Sequence, residues 1–380
     1  MDISAIRRKD HKFIMSTYGR FNLFVEKGKG CYLYDKSGKR YLDFLSGLGC
    51  APLGHAHPEV AKAVSFQAKK LIQVSNYYYT EPQVELAEKL SLLSGLQKAF
   101  FCNSGTEANE AALKLAKKIT GKTDFVVCKE AFHGRTHGSL SATWKPSFRE
   151  PFLPLVEGFT FVPYNDANAI GKAISSKTAA VMLEPIQGEA GVVVPDAGYL
   201  EKVSAICKKN KVLLILDEVQ SGNGRTGKYF AFQHSPVKPD IVTTAKGLAN
   251  GVPIGVCMSN YSFEKGNHAS TFGGNPLSCA AANATVDIIL RKKLMGNALL
   301  MGGYFMKKLS ALPHVKKVRG KGLMIGAEID KDAKLVTEQC LERGLVVNNA
   351  TPTVLRFLPP LIAAKKDVDA AIKVLSRVLQ

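Results

Sequence analysis

The architecture of this chain is set by the run Leu213-Leu214-Ile215-Leu216-Asp217 and, further along, by Ile241-Val242-Thr243-Thr244-Ala245-Lys246. Short apolar runs bounded by turn residues are typical of buried parallel strands. Open α/β sheets bind ligands at the carboxyl ends of their strands. We therefore predict that Asp217 and Lys246 face one crevice, although 29 positions separate them.

These two strand-end residues suit one kind of cofactor. A buried lysine can lose its proton and attack a carbonyl group, and a buried carboxylate can hold a cationic ring nitrogen. Pyridoxal 5′-phosphate presents an aldehyde to a lysine and a pyridinium to an anion. Lys246 and Asp217 are therefore the candidate catalytic residues of a site for this cofactor.

Seven apolar runs alternate with helical spacers in the middle of the chain. The runs are Ala99–Cys102, Phe125–Cys128, Thr160–Val162, Ala179–Leu183, Leu213–Leu216, Ile241–Thr244 and Gly255–Met258. The alternation predicts an α/β fold whose seven-stranded, mostly parallel sheet is covered on both faces. After Pro276 the pattern changes to two helices and a small α+β ending.

We expect the chain to be divided into three parts. Residues 1–55 contain a predicted hairpin and form the N-terminal segment of a small domain. Residues 56–275 form the large cofactor-binding domain. Residues 276–380 complete the small domain, so both chain ends contribute to it.

Composition restricts the class of protein. The 380 residues are 46% hydrophobic and 22% charged, which is typical of a globular protein. No apolar run approaches the ~18 residues of a membrane span, and the start lacks the apolar core of a secretory signal. The 8 cysteines form no CxxC pair. We therefore expect a cytoplasmic protein with no membrane association, disulfide framework or metal site.

The formal net charge of +19 points first to nucleic acid. However, the basic residues are spread along the chain in pairs such as Lys69-Lys70 and Lys316-Lys317, and no long basic tail exists. This pattern favours a solvated basic surface and no nucleic-acid partner. It leaves open an attraction for anionic metabolites or for an acidic protein.

Two further motifs follow predicted strands. In Asn103–Glu110, Gly105 and Thr106 open a helix, where they can either bind a phosphate or belong to an ordinary N-cap. In Phe132-His133-Gly134-Arg135, the phenyl ring can stack on a flat cofactor. The Arg135 guanidinium can clamp a carboxylate or simply lie at the surface.

Other polar segments have weaker signals. Gly222–Gly227 satisfies G-x-G-x-x-G, but the Walker pattern fails at Tyr229, so we predict no nucleotide site there. Ser270–Pro276 precedes a helix and can reach a phosphate or serve as a plain loop. Arg356 lies in an apolar run and needs an anionic partner, for which Glu189 is a candidate.

Together these motifs resemble the class III, pyridoxal-phosphate-dependent aminotransferases of fold type I. The resemblance runs from about Phe21 to Leu379. The most specific segments are Asn103–Glu110, Phe132–Thr136, Glu184–Gly191, Asp217–Gly227, Thr244–Gly247 and Ser270–Pro276.

The resemblance implies roles for individual residues. It makes Lys246 the Schiff-base lysine and Asp217 the partner of the pyridine nitrogen. The other cofactor contacts that it implies are Phe132 and Val219 on the ring, Gln220 at the phenolic oxygen, Gly105 and Thr106 at the phosphate, and Thr271 reaching the phosphate from a second subunit. The implied assembly is a homodimer with shared active sites.

The resemblance also indicates the substrates. Phe132–Arg135 is similar to the members that act on N-acetylornithine, whereas ornithine 5-aminotransferases usually carry Trp at His133 and Tyr at Leu48. It implies that Arg135 and Ser270 contact N-acetylornithine. Arg356 would bind the α-carboxylate of glutamate or 2-oxoglutarate, and the reaction would belong to arginine biosynthesis.

Several alternatives stay open. The segment from Thr143 to Phe152, with the basic charge, also resembles enzymes acting on lysine or ornithine amines held by an acidic carrier protein. Free ornithine and N-succinylornithine are further candidate donors. In other classes, a dehydrogenase using Gly222–Gly227 and a basic nucleic-acid or protein-binding module are disfavoured by the Asp217 and Lys246 pair.

Overall fold

The computed structural model describes residues 3–380. Its α-helices are α1 (Ile3–Phe13), α2 (Ser46–Gly49), α3 (Pro58–Lys70), α4 (Glu81–Ser94), α5 (Gly105–Thr120), α6 (His137–Ser141), α7 (Pro146–Arg149), α8 (Ala167–Ala173), α9 (Tyr199–Asn210), α10 (Pro276–Arg291), α11 (Leu294–Leu309), α12 (Ala333–Glu342) and α13 (Lys365–Val378). Its strands are β1 (Val25–Lys29), β2 (Tyr32–Asp35), β3 (Arg40–Asp43), β4 (Lys98–Cys102), β5 (Asp124–Cys128), β6 (Phe159–Val162), β7 (Thr178–Leu183), β8 (Leu213–Asp217), β9 (Ile241–Thr244), β10 (Gly255–Ser259), β11 (Val315–Lys321), β12 (Met324–Ile329), β13 (Leu345–Val346), β14 (Asn348–Thr351) and β15 (Val354–Phe357).

A seven-stranded sheet forms the centre of the molecule, in the order β4-β10-β9-β8-β7-β5-β6. The pairs from β9 to β6 are all parallel, so the predicted mostly parallel sheet is confirmed. Only β10 runs against its neighbours. Residues 245–254 connect it to β9, and this segment is shorter than the dozen or so residues that a parallel crossover needs.

The central strands are buried on both faces. Every residue of β7, β8 and β9 is buried, because separate apolar clusters cover the two faces of the sheet. Strands in this position read as continuous apolar runs, without alternation. Since β8 lies between β7 and β9, its carboxyl end with Asp217 opens near the middle of the sheet edge.

Both ends of the chain build a second core. The predicted hairpin exists, with β2 antiparallel to β3, and its turn is closed by the Asp35 carboxylate, which accepts the N–H groups of Ser37 and Lys39. β13 adds to β3 in parallel. Phe44 packs edge-on to Phe305, with ring centroids 5.4 Å apart. The opening strands are therefore held by the last part of the chain.

Helix α1 was not expected from the sequence pattern. It has no buried residue, although one of its faces is apolar. Within residues 3–380, no helix has the length and apolar character required to span a bilayer.

Candidate active site

Asp217 is the last residue of β8, and only 4% of it is exposed. Its Oδ2 accepts a hydrogen bond from Asn109 Nδ2 at 2.7 Å and lies 2.8 Å from His133 Nδ1. Its Oδ1 accepts the N–H of Val219 at 3.0 Å. Groups from α5, from the loop after β5 and from the turn after β8 thus fix the orientation of this carboxylate.

Lys246 follows β9 and has an unusual backbone. Its φ of +42° lies in the left-handed region, a conformation that costs a non-glycine residue about 1–3 kcal/mol and that clusters at functional sites. The Asn223 side chain supports it by donating to Thr244 Oγ1 at 3.1 Å and to the Ala245 carbonyl at 3.0 Å. The glycine-rich turn therefore braces the lysine.

Asp217 and Lys246 face the same cavity, which has a volume of about 220 Å³. The cavity collects most of the candidate site residues from distant parts of the chain. Its lining is Gly105, Thr106, Asn109, Phe132, His133, Gly134, Arg135, Glu184, Glu189, Asp217, Val219, Gln220 and Lys246.

One end of the cavity is the N-terminus of α5. Ser104 caps this helix by accepting the N–H of Glu107 at 3.3 Å, so the ordinary N-cap interpretation also holds. A Cβ atom on Gly105 would lie 2.6 Å from Val219 Cγ1, and only glycine fits. The Thr106 hydroxyl lies 2.8 Å from that of Thr136. A helix N-terminus with a glycine and a hydroxyl suits a phosphate group.

The rim of the cavity carries an arginine without an acidic partner among the described residues. Arg135 is exposed, and its guanidinium lies over the Phe148 ring at 3.5 Å from the centroid. Phe148 in turn contacts Phe132 edge-on, with centroids 6.3 Å apart. Stacking leaves the edge of the guanidinium free to bind a carboxylate.

A second arginine, Arg356 on β15, has the opposite environment. It is 1% exposed, and its Nη1 donates to Glu189 Oε1 at 2.5 Å and to the Gly188 carbonyl at 3.3 Å. Burial raises the pKa of Glu189, but the Arg356 guanidinium, together with Lys246 and Gln220, brings this pKa below its usual value. The Glu189 partner expected from the sequence is therefore present.

The family model described as aminotransferase class-III matches residues 14–379 of this chain. The chain belongs to the class-III aminotransferases. Members of this family use pyridoxal 5′-phosphate.

Relatives of this class-III aminotransferase cover its whole length. The acetylornithine aminotransferase of Methanosarcina mazei is 50% identical over 374 residues, which are 97% of this chain and 95% of the relative. The ornithine aminotransferase structure from Toxoplasma gondii has a TM-score of 0.96 at 31% identity and covers 100% of this chain and 95% of that one. The acetylornithine aminotransferase structure from Elizabethkingia anophelis has a TM-score of 0.89 at 34% identity and covers 100% and 99%. The fold-type I architecture is thereby confirmed.

The residues of this cavity fit the family's cofactor. The cavity places a phosphate-binding helix N-terminus, a lysine amine and an oriented carboxylate around one space. The side chains of Phe132 and Val219 add apolar surface for a flat ring. The site therefore has a partner for each functional group of pyridoxal 5′-phosphate.

Four residues singled out from the sequence lie outside this lining, namely Arg356, which pairs with Glu189 of the lining, and Thr271, Ser270 and Leu48. Thr271 is exposed, as its predicted role toward a second subunit requires. Ser270 accepts the N–H of Gly273 at 3.0 Å within its own loop. Leu48, where ornithine 5-aminotransferases usually carry Tyr, is 42% exposed and does not line the cavity of its own chain.

Three buried polar residues of the lining were not predicted as site residues from the sequence, namely Asn109, His133 and Glu184. Asn109 and His133 were quoted within motifs, but only their contacts with Asp217 show what they do. Glu184 follows the apolar strand β7 as Lys246 follows β9. Its position directly after a buried strand could therefore have identified Glu184 as a site residue from the sequence.

The histidines give no indication of a metal. His55 Nε2 lies 2.7 Å from Asp43 Oδ2 and joins the loop before α3 to β3. In the part of the chain that the structure describes, no group of three or more His, Cys, Asp or Glu side chains is arranged to hold a metal ion.

Proposed function

We propose that this chain transfers the terminal amino group of N-acetylornithine to 2-oxoglutarate, giving N-acetylglutamate semialdehyde and glutamate in arginine biosynthesis. The observation that carries the proposal is the contrast between Arg135 of the cavity lining and Arg356, which lies outside the lining and pairs with one of its residues. Arg135 lies on the rim without an acidic partner, whereas Arg356 is buried and paired with Glu189. The names of relatives that are 46–50% identical support the choice of donor.

Different residues of the chain have different roles in the reaction. Bound pyridoxal 5′-phosphate supplies an electron sink. Lys246 Nζ holds and moves the proton at the donor carbon that carries the amino group. Asp217, fixed by His133 and Asn109, places a negative charge at the far end of the cavity. The helix N-terminus at Gly105 and Thr106 binds the phosphate.

The pairing of Arg356 with Glu189 separates the two half-reactions. When 2-oxoglutarate is bound, its α-carboxylate replaces Glu189 on the guanidinium. When N-acetylornithine is bound, Glu189 keeps its place, so the approaching terminal amine meets no unneutralised guanidinium. A buried cation without a partner would be costly in that state.

The charges in the cavity favour an acetylated donor. Each carboxylate of the described lining already has a partner, since Asp217 contacts His133 and Glu189 contacts Arg356, while Glu184 accepts backbone N–H groups. The α-ammonium of free ornithine would find no free carboxylate there. Acetylation removes this charge, and the neighbouring donor carboxylate can bind Arg135.

We expect kcat/KM for N-acetylornithine to exceed that for ornithine by at least about tenfold, which is roughly 1.4 kcal/mol of transition-state binding. Arg135→Ala should raise KM for the donor and change KM for 2-oxoglutarate much less, because Arg356 binds the acceptor. Steady-state kinetics with a panel of amines and 2-oxoglutarate measures both effects.

Lys145→Ala is the matched control for this prediction. Its ammonium lies 4.8 Å from the centroid of the same Phe148 ring, but Lys145 does not line the cavity. Its removal should leave kinetics with free N-acetylornithine unchanged. Equal efficiency on ornithine would refute the donor assignment.

A second candidate donor is a lysine or ornithine amine held by an acidic carrier protein. A group of basic side chains favours it, because Lys129, Lys145 and Arg149 lie over aromatic rings, as does Arg135 of the cavity lining. Electrostatic steering by such a group weakens as salt increases. Activity restricted to a carrier-linked amine, with kcat/KM falling steeply with ionic strength, would replace free N-acetylornithine.

We also propose that the active enzyme is a homodimer whose Thr271 reaches the partner's cavity. Tyr77 is 92% exposed and Tyr79 is 100% exposed. The adjacent Asn76 side chain donates to the carbonyls of Ser270 and Gly273, so this aromatic patch is continuous with the Thr271 loop. Contiguous exposed apolar surface of this kind marks association sites.

Tyr79→Asp is expected to shift the protein to monomers that lose cofactor and activity together, because a charge opposes burial in an apolar interface. Sedimentation velocity with cofactor absorbance measures assembly and cofactor retention in the same run. Leu335→Asp is the control, since Leu335 is 56% exposed on α12, away from the patch. A fully active monomer would contradict the shared site.

A further inference from the structure

Glu184 is a buried carboxyl group that the reaction outlined above does not use. It follows β7 directly, lines the cavity and is 5% exposed. Its pKa is raised to about 7, chiefly by burial, with the Asp217 charge acting in the same direction and the neighbouring His133 acting against it. A group that is costly to bury needs compensating contacts.

The contacts of Glu184 join two separate segments of the site. Its Oε1 accepts the N–H of Phe132 at 3.1 Å, and its Oε2 accepts the N–H of Gly188 at 3.0 Å. The first peptide belongs to the loop that carries Arg135. The second belongs to the turn that carries Glu189.

Each of these peptides leads directly to a substrate-facing group. Past Phe132, the next residue is His133, which contacts Asp217. The Gly188 carbonyl accepts a hydrogen bond from Arg356 at 3.3 Å. Gly188 has no lateral freedom, because a Cβ atom there would lie 2.3 Å from Gln220 Oε1. A shift of the Phe132 peptide therefore disturbs the loop that carries His133 and Arg135, and a shift of the Gly188 peptide disturbs the contact with Arg356.

We propose that Glu184 is a positioning residue that fixes the donor-binding loop at Phe132 and the Glu189 turn relative to each other through one carboxylate. This inference rests on the proposed function for the identity of the two substrates. A carboxylate is required because both of its oxygens face donors. A glutamine side chain of equal size would present its NH₂ group to one of the two N–H groups and leave that bond unmade.

The first test is hydrogen–deuterium exchange of the cofactor-loaded enzyme without substrate. In Glu184→Gln we expect faster uptake in peptides that cover residues 131–134 or 186–190, and unchanged uptake in the strands of the central sheet. This measurement does not depend on which donor the enzyme uses, so its failure is distinct from failure of the proposed function.

The second test is a kinetic comparison. Glu184→Gln should raise KM for 2-oxoglutarate and for the best donor of the panel, each by about tenfold, with a smaller change in kcat. Arg135→Ala, by contrast, should change KM for the donor alone. The simultaneous rise of both KM values is the signature of a link between the two segments.

Glu218→Gln is the matched control. Glu218 is also fully buried, its pKa is likewise raised by burial to about 7, and it accepts the N–H of Phe232 at 2.7 Å and the hydroxyl of Ser221 at 2.5 Å. It does not line the cavity. We expect it to lower the melting temperature and speed exchange near residue 232 without raising either KM.

A further variant covers the case in which Glu184→Gln does not fold. Glu184→Asp keeps the charge, but its side chain is one methylene too short to reach both peptides. Hydrogen exchange should therefore rise in only one of the two segments. The KM of the substrate that this segment helps to bind should rise as well. The proposal is overturned if Glu184→Asp matches the wild type in exchange and both KM values. It is also overturned if Glu184→Gln and Glu218→Gln change KM alike.

Discussion

Lys246→Ala should lower turnover by at least about 10³-fold, because proton transfer by a positioned side chain contributes about 10²–10⁴-fold and the covalent link to the cofactor is lost as well. Lys246 is the only lysine among the described residues that line the cavity, so no neighbouring amine can take its place. Single-turnover absorbance changes with N-acetylornithine would measure the loss directly.

The same variant should keep its fold and still bind the cofactor without a covalent link, since the contacts at Gly105 and Thr106 are intact. Lys228→Ala is the control, because Lys228 is an exposed lysine of the glycine-rich turn that supports Lys246. It should behave as the wild type. If Lys246→Ala keeps more than a few per cent of the wild-type rate, the assignment of Lys246 is wrong.

Asp217→Asn is expected to reduce kcat about 10- to 100-fold, the effect of losing a buried hydrogen bond to a charged group. The amide brings no negative charge to the far end of the cavity. Its NH₂ group would also face either Asn109 and His133, which both contact Oδ2 of the carboxylate, or the Val219 N–H, which donates to Oδ1. Kinetics and the cofactor absorbance spectrum report the two consequences.

A half-buried aspartate at the opposite end of the strands provides the comparison. Asp240 precedes β9, and its Oδ2 accepts the N–H of Leu214 at 2.8 Å. Asp240→Asn should cost stability and leave kcat unchanged. Near-normal turnover by Asp217→Asn would exclude the role proposed for its charge.

The parts of the fold that could be predicted are those with a local cause. β7, β8 and β9 are buried on both faces, so their sequences are uninterrupted apolar runs, and the carboxyl ends of parallel strands brought Asp217 and Lys246 into one cavity. The direction of β10 was also available from the length of its connection. These features need no knowledge of distant contacts.

Other features depend on contacts that no local pattern encodes. The link from Glu184 to Phe132 spans 52 positions, and that from Asn109 to Asp217 spans 108. Helix α1 buries no residue, so its apolar face gave a weak signal. Leu48 is exposed on a left-handed backbone in α2. No local sequence pattern predicts that conformation.

The pairing of β3 with β13 has a consequence for the order in which a newly made chain matures on the ribosome. The residues that line the cavity lie between Gly105 and Lys246, whereas Arg356 and β13, which pairs with β3, are synthesised near the end. Non-local pairings of this kind form late, because loop closure must precede the contact. The nascent chain therefore acquires the residues that line the cavity before it acquires Arg356, the residue proposed to bind the acceptor.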